Sequence, residues 1–263
     1  IHAAQNTTSC HWKFVDDLNI IETRLLSVQS SLQHDLTDLE LWTKESNMKL
    51  HPKKCKVMHF YFTRIPLPLP PLQIDGHTLQ TVNIAKLLGI WLQSDLKWNT
   101  QVSHMTKQGS KRLFLLRRLK QFNLPAVDLA AVFTTYVRPV LEYAAPVWSP
   151  GLTNKQSSQL ESIQRRACKI ILGGSRYSNY ADACTQLGLQ RLDTRREQLC
   201  LRFGRKLLNN TSLRGLLPQS RGQISNRHTR HCNELDTVRT RTERFRNSSI
   251  PYIVRLLNKD NKP

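Results

Sequence analysis

Two adjacent carboxylates, Asp16 and Asp17, are the residues of this sequence best suited to chemistry. They lie between apolar segments at residues 12–15 and 18–21. Carboxylate oxygens are the ligands that hard cations such as Mg²⁺ prefer, and phosphoryl transfer relies on cations held in this way. Adjacent aspartates also arise readily by chance, and a solvated turn is the alternative interpretation. The pair therefore permits a metal site without specifying one.

The segments around the pair predict how it is positioned. Aromatic and β-branched side chains favour strands on both sides, whereas Asp is rare within strands and common in tight turns. We therefore expect Asp16 and Asp17 at or beside the tip of a β-hairpin. Apolar residues at helical spacing predict that an amphipathic helix over residues 28–46 follows the hairpin.

Strand signals continue through the first third of the chain. Residues 56–62 and 85–92 each predict a strand, and Asp75-Gly76 between two apolar segments predicts a hairpin. The prolines at positions 66, 68, 70 and 71 predict an extended connector between strands. Docking of this connector on a proline-binding domain is the alternative.

From Trp98 onward, the spacing of apolar residues changes from the strand period to the helical period. The predicted elements are a long helix from Trp98 past Leu119, a helix from Pro125 through Tyr136 that Pro139 ends or kinks, a helix capped by Thr153 and closed by Gly173-Gly174, an Arg-rich helix over residues 192–208, a loop over residues 214–247, and a short terminal helix or strand over residues 250–257.

The charge of the chain is strongly positive and unevenly placed. Lys and Arg number 39 against 19 acidic residues, which gives a formal net charge of +20. Residues 1–95 carry no net charge, residues 96–175 carry +9 and residues 176–263 carry +11. Such an excess points to a polyanionic partner, most often nucleic acid and less often an anionic membrane surface. The uneven placement predicts two domains with different tasks.

Several other classes do not fit the sequence. No apolar run approaches the ~18–20 residues that a membrane span requires, and no secretory signal is visible, so we expect an intracellular protein. The six cysteines form no C-x-x-C pair and are expected to be reduced, mostly buried thiols. A zinc site at His228, His231 and Cys232 is an alternative that lacks a second pair of ligands.

Beyond these patterns, an ordered series of short motifs resembles the reverse transcriptases of non-LTR (LINE-type) retrotransposons, of the jockey and chicken-repeat-one kind. Phe14-Val15-Asp16-Asp17 resembles their aromatic-x-Asp-Asp motif. The series continues in order with Leu41-Trp42, residues 48–58, residues 87–92, Leu96-Lys97-Trp98, residues 136–148, Gln164-Arg165-Arg166-Ala167 and Ser249-Ile250-Pro251-Tyr252. The resemblance covers nearly the whole chain, and the order of the motifs makes it specific.

The resemblance implies an α+β fold. Residues 1–95 would form part of a reverse-transcriptase palm, residues 96–175 an all-helical thumb, and residues 176–263 a basic C-terminal extension. The implied activity is RNA-templated DNA synthesis, in which a primer 3′-hydroxyl attacks the α-phosphate of a dNTP between two Mg²⁺ ions. The implied partners are template RNA, target DNA and dNTPs, and the implied location is the nucleus at the site of integration.

The same resemblance implies roles for individual residues. Asp16 and Asp17 would be catalytic residues that help to hold the Mg²⁺ ions. Lys54, with Lys53 as a near alternative, would protonate the departing pyrophosphate, although a phosphate or solvent contact also explains this lysine. The residues of the hairpin that would grip the primer end are Leu88, Gly89 and Ile90. The residues that would bind the template–primer duplex are Lys111, Arg112, Arg117 and Arg118.

The chain also departs from the pattern of these polymerases. His51 stands where they have Asn, and Phe14 stands where Tyr is common. Their fingers and a further metal-binding Asp of the palm would precede Ile1, so we expect the isolated chain to bind metal weakly and to polymerise poorly or not at all. Two alternatives stay open: a non-catalytic nucleic-acid binder, and a helical module that binds acidic protein partners.

Overall fold

The computed structural model describes residues 9–23, 29–61, 69–174, 177–225 and 231–260 of the chain. These residues combine helices with short strands, so the predicted α+β class is confirmed. The chain divides into two compact units, Ile1–Leu96 and Lys97–Pro263. All of the strands belong to the first unit, and the second unit is helical.

The first unit is built from short strand pairs and one helix. Its elements are β1 (Ser9–Phe14), β2 (Asp17–Glu22), α1 (Leu32–Glu45), β3 (Lys56–Val57), β4 (Gln73–Ile74), β5 (His77–Thr78), β6 (Gln80–Thr81), β7 (Ile84–Leu87) and β8 (Ile90–Gln93). The pairs β1–β2, β4–β5 and β7–β8 are antiparallel hairpins, and β3 pairs with β6 in parallel. Each sheet of the described residues therefore has two strands.

The buried core of the first unit is small. Leu36 of α1, Ile74 of β4 and Leu79 form its buried cluster, and partly buried side chains such as Ile20 pack around it. The first hairpin contributes little to this core, and the side chain of Phe14 is 61% exposed. Two-stranded hairpins without a packed face are marginally stable in water. Tertiary packing therefore stabilises this hairpin only weakly.

Hydrogen exchange is expected to report this difference in packing. Amides of residues 160–171, whose helix has fully buried side chains at Leu160 and Ile171, should exchange at least about tenfold more slowly than those of residues 14–21. Mass-spectrometric hydrogen exchange of the full chain, corrected for intrinsic rates, measures both segments in one sample. Equal protection of the two segments would contradict the small-core interpretation.

The second unit is a set of packed helices. Its elements are α2 (Asn99–Gln121), α3 (Ala126–Val132), a π-helical turn (Phe133–Val137), α4 (Arg138–Glu142), α5 (Ala145–Trp148), a 3₁₀ turn (Ser149–Gly151), α6 (Asn154–Leu172), α7 (Tyr180–Gln186), α8 (Leu192–Asn209), a 3₁₀ turn (Arg214–Leu216), α9 (Arg221–Ser225), α10 (Glu243–Arg246) and α11 (Ser249–Asp260). No helix among the described residues is long and apolar enough to cross a membrane.

Two hydrophobic clusters hold the second unit together. The larger cluster contains side chains from α2 to α7 and from Leu192 at the start of α8. It includes the fully buried Phe133 and Trp148. The smaller one joins the rest of α8 to α11, with Leu207 and Ile253 among its members. Gly204 permits this second contact, because a Cβ atom there would lie 2.6 Å from Cγ2 of Ile253. The helix α8 thus contributes to both clusters.

Predictions that rest on local signals are confirmed. The Asp75-Gly76 turn joins β4 to β5 with positive φ at both residues, +48° and +72°. Thr153 caps α6 through a reciprocal capping box with Gln156, and the helix closes at Gly173 with φ of +81°. All six cysteines are free thiols, but only Cys168, Cys184 and Cys200 are buried, so the expectation of mostly buried thiols holds for half of them.

Other predictions need correction. Residues 85–92 do not form one strand, because the chain reverses at Leu88-Gly89 into the hairpin β7–β8. Residues 56–61 contain only the short strand β3. The helix that begins after Pro125 continues past Pro139, because the backbone widens into a π-helical turn just before the proline, which has no N–H to donate. Residues 214–247 contain three short helical segments in addition to loop.

Two predicted helices have bounds that differ from, or settle, the prediction. The amphipathic helix predicted over residues 28–46 begins at Leu32, and the terminal segment is the helix α11. Two of the connector prolines, Pro66 and Pro68, lie outside the described residues, as does His228 of the alternative zinc site.

Candidate functional site

The tip of the first hairpin carries the acidic pair. Phe14 pairs with Asp17, which leaves Val15 and Asp16 as the two turn residues, so the predicted position at a hairpin tip is confirmed. Val15 has a φ of +55°, a conformation that β-branched residues rarely adopt. The turn therefore places both aspartates at an exposed point, at some cost in backbone strain.

The donor chemistry of the pair suits Mg²⁺, but the pair alone does not form a complete site. Both aspartates are exposed, and no hydrogen bond or ion pair joins their carboxylates to another described side chain. Within the described ranges, no group of three or more His, Cys, Asp or Glu residues comes together. Mg²⁺ takes six oxygen ligands, some of them from water and phosphates. Asp16 and Asp17 could therefore supply two of these ligands.

Lys53 and Lys54 occupy a turn after α1. The backbone N–H of Lys54 donates a hydrogen bond to the carbonyl of His51 at 2.9 Å, and both lysine side chains are exposed. No contact joins either side chain to the acidic pair. The geometry therefore leaves the lysines available to an anion in solution, and it does not bring them together with Asp16 and Asp17.

The residues expected to grip the primer form the turn of the β7–β8 hairpin. Leu88 and Gly89 both have positive φ, +45° and +86°, and both are exposed. Ile90 differs, because it is only 8% exposed and pairs with Leu87 across the hairpin. Leu88 and Gly89 are thus accessible to a ligand, whereas Ile90 anchors the hairpin.

The four basic residues expected to contact a duplex all lie on α2, but they are not equivalent. Lys111, Arg117 and Arg118 are exposed, and Arg118 donates a hydrogen bond only to Gln121 on the same helix. The guanidinium of Arg112 instead donates to the carbonyl of Tyr136 and lies 4.5 Å from the centre of its ring. Arg112 therefore fastens α2 to the following helical segment.

An exposed mixture of cations and aromatic rings on α2 was not anticipated from the sequence. Residues at spacings of three and four lie on one side of a helix. Four exposed residues of α2 and the residue that caps its C-terminal end follow this spacing, and we call them the basic–aromatic face: Lys107, Lys111, Phe114, Arg118 and Phe122. Phe114 is 63% exposed and Phe122 is 70% exposed. The helical spacing of these residues is the signal that could have identified the face.

Comparison with known proteins agrees with the resemblance seen in the motifs. The chain is similar to the "Probable RNA-directed DNA polymerase from transposon BS" of Drosophila melanogaster, with 26% identity over 194 residues. The similar region covers 71% of this chain and 21% of that protein, so it spans about a fifth of the relative's length. No protein-family model and no solved structure matches the chain. The similarity supports a relationship to reverse transcriptases.

Proposed function

We propose that this chain is a segment of an RNA-directed DNA polymerase of a non-LTR retrotransposon, in which the first hairpin belongs to the palm. The observation that carries the proposal is the Asp16-Asp17 pair at the tip of a two-residue hairpin turn, in a chain similar to a transposon polymerase. The substrates would be template RNA, target DNA and dNTPs. Residues 96–175 would act as the thumb and residues 176–263 as a basic extension.

In this function, Asp16 and Asp17 would hold Mg²⁺ together with oxygen ligands from outside the pair. The metal would supply charge neutralisation at the phosphates and activation of the primer 3′-hydroxyl. The chain's own contribution is positional, because the short turn keeps the two carboxylates adjacent. Their exposure allows a primer end and a nucleotide to reach them.

The remaining residues of the first unit would act on the substrates directly. Lys54, or Lys53 beside it, would donate a proton to the departing pyrophosphate, which an exposed ammonium can approach without displacing other groups. Leu88 and Gly89 would contact the primer end, and the buried Ile90 would hold their turn in place.

The basic–aromatic face of α2 would bind the nucleic acid. Lys111 and Arg118 offer charge to the phosphates, with Arg117 nearby on the same helix, and Arg112 holds the helix in position. Phe114 and Phe122 offer rings on which unpaired bases can stack. A face with both features suits a junction between duplex and single strand better than a duplex alone.

The metal role of the acidic pair predicts a specific response to Mn²⁺, a paramagnetic substitute for Mg²⁺. We expect binding with a dissociation constant of about 1 mM, because two carboxylates give a weak site. Amide signals of residues 14–19 should broaden in NMR spectra of the full chain. The substitutions Asp16→Asn and Asp17→Asn together should abolish this broadening.

A second hairpin provides the matched control for this experiment. Asp75 is also an exposed carboxylate at a two-residue turn, but it has no acidic neighbour in sequence, and its Oδ1 lies 3.4 Å from Nζ of Lys44. Asp75→Asn should leave the broadening at residues 14–19 unchanged. Equal broadening at the two hairpins would mean that Mn²⁺ binds exposed carboxylates in general, which would contradict the proposed site.

Primer extension by the 263-residue chain alone is expected to be undetectable. The described residues bring only two carboxylates together, and two-metal catalysis requires further ligands. The measurement is dNTP incorporation on a primed RNA template with Mg²⁺. Incorporation that Asp16→Asn abolishes would overturn this expectation while supporting the polymerase assignment itself.

A further inference from the structure

A pocket of about 450 Å³ lies in the second unit, where three helices begin, and no residue of the basic–aromatic face lines it. Ser157 lies in the first turn or two of α6, Arg196 in the second turn of α8, and Tyr252 in the first turn of α11, and all three line the pocket. The N-terminal ends of helices carry partial positive charge and attract anions. These three helices have 19, 18 and 12 residues, so each has a developed dipole.

Arg196 is the unusual residue of this pocket. It is only 3% exposed, and its Nη2 donates a hydrogen bond to Oγ of Ser157 at 2.8 Å. Its Nη1 is buried without a hydrogen-bond partner. Burial lowers the pKa of Arg196 from its ordinary value, because desolvation disfavours the charged form. A buried guanidinium with a free donor is costly unless an anion compensates it.

The nearby carboxylates are engaged with other groups. Asp193 accepts hydrogen bonds from Arg191 and from the backbone N–H of Thr194. Glu142 is bound by Arg195. Glu161 accepts, through Oε1, from the backbone N–H of Leu192 and from a tyrosine hydroxyl, whereas its Oε2 is buried without a hydrogen-bond partner. These three carboxylates favour the charged form of Arg196 from a distance and partly offset the effect of its burial on the pKa. No described carboxylate forms an ion pair with Arg196. Its charge therefore lacks a direct counterion within the described part of the chain.

The rim of the pocket is formed by exposed side chains, among them Arg191, Thr194 and Glu197. Exposed side chains change rotamer at small cost, so an incoming anion can reach the guanidinium. Two carboxylates that line the pocket oppose an anion: Asp193, which is paired with Arg191, and Glu197, which is exposed and has no ion-pair partner among the described residues.

We propose that this pocket binds one phosphate group, with Arg196 as the charged donor and Ser157 beside it. This site is separate from the proposed polymerase chemistry and does not depend on it, since the acidic pair and the basic–aromatic face lie on other elements. The phosphate could be free inorganic phosphate or a phosphate of a nucleic acid, which present the same oxygens to the pocket.

The primary test is the thermal unfolding midpoint of the full chain as phosphate replaces chloride at constant ionic strength. We expect a saturable rise with phosphate that chloride does not produce. Arg196→Met should remove the saturable part. Arg202→Met, which removes an exposed arginine of the same helix α8, should retain it.

A second variant decides the question if Arg196→Met does not fold. Ser157→Asp places a carboxylate where a hydroxyl now accepts a hydrogen bond from Arg196, near the start of α6. This carboxylate should form an ion pair with the guanidinium of Arg196. The thermal unfolding midpoint should then be higher without phosphate, and phosphate should no longer raise it. Glu197→Gln should instead strengthen phosphate binding, because it removes an exposed negative charge that repels the anion. The phosphate dissociation constant should fall by about twofold to fivefold.

Oligonucleotides identify the source of the phosphate. Competition with inorganic phosphate by a 5′-phosphorylated oligonucleotide, but not by its 5′-hydroxyl form, assigns the site to a terminal phosphate. Equal competition by both forms assigns it to the backbone, and competition by neither assigns it to free phosphate. The proposal is overturned if phosphate and chloride act alike, or if Ser157→Asp leaves the phosphate response unchanged.

Discussion

Replacing Trp148 with alanine is expected to lower the free energy of unfolding of the second unit by about 3–5 kcal/mol. The indole is fully buried in the larger hydrophobic cluster, so its removal leaves a cavity. Its Nε1 donates a hydrogen bond to the carbonyl of Tyr143 at 2.8 Å, so truncation also removes this hydrogen bond. Chemical denaturation followed by far-ultraviolet circular dichroism measures the change.

Phe122→Ala is the matched control for this substitution. It removes an aromatic ring of similar size from the same unit, but the ring of Phe122 is 70% exposed. Its effect should stay within about 0.5 kcal/mol, as is usual for surface positions. Equal destabilisation by the two variants would mean that Trp148 is not part of a close-packed core.

Charge reversal on the basic–aromatic face is expected to weaken nucleic-acid binding by about tenfold or more at moderate salt. The double variant Lys111→Glu, Arg118→Glu removes two cations and adds two anions at exposed positions of α2. Loss of two phosphate contacts should also reduce the slope of log affinity against log salt by about 2. Fluorescence anisotropy with a primed RNA–DNA substrate, titrated at several salt concentrations, gives both quantities.

The control for this experiment must change the net charge equally. Arg239→Glu, Arg241→Glu does so at two exposed positions outside the basic–aromatic face. We expect its effect to be only a few-fold, because it acts through the general field of the protein and not through direct contacts. Equal losses in the two double variants would show that net charge alone governs binding and would overturn the assignment of α2.

The sequence predicted those features whose causes lie within a few residues. The Asp75-Gly76 turn and the capping box between Thr153 and Gln156 need only their own side chains and backbone. The pattern of apolar residues did not show the hairpin at Leu88-Gly89, because its apolar flanks suit one continuous strand equally well; only the resemblance to reverse transcriptases implied a hairpin there. The backbone pairing of β7 with β8 makes this segment a hairpin, and the pattern of apolar residues does not reveal that pairing.

The candidate site shows the same limit. The position of Asp16 and Asp17 followed from turn preferences, which are local. The burial of Ile90 and the attachment of Arg112 to Tyr136 depend on segments that meet only in three dimensions. For the same reason, the sequence could not distinguish Arg196 from the other arginines of α8. Its burial and the lack of a hydrogen-bond partner for its Nη1 are properties of the packing.

The helix α8 has a consequence for how the second unit loses its structure on heating. Its first half belongs to the larger hydrophobic cluster through Leu192, and its second half belongs to the smaller cluster through Leu207. Neither cluster can unfold without disturbing helix α8, which both clusters share, so their unfolding is thermodynamically linked. Calorimetry should therefore record one cooperative unfolding transition for this unit, without separate transitions for residues 97–175 and 176–263.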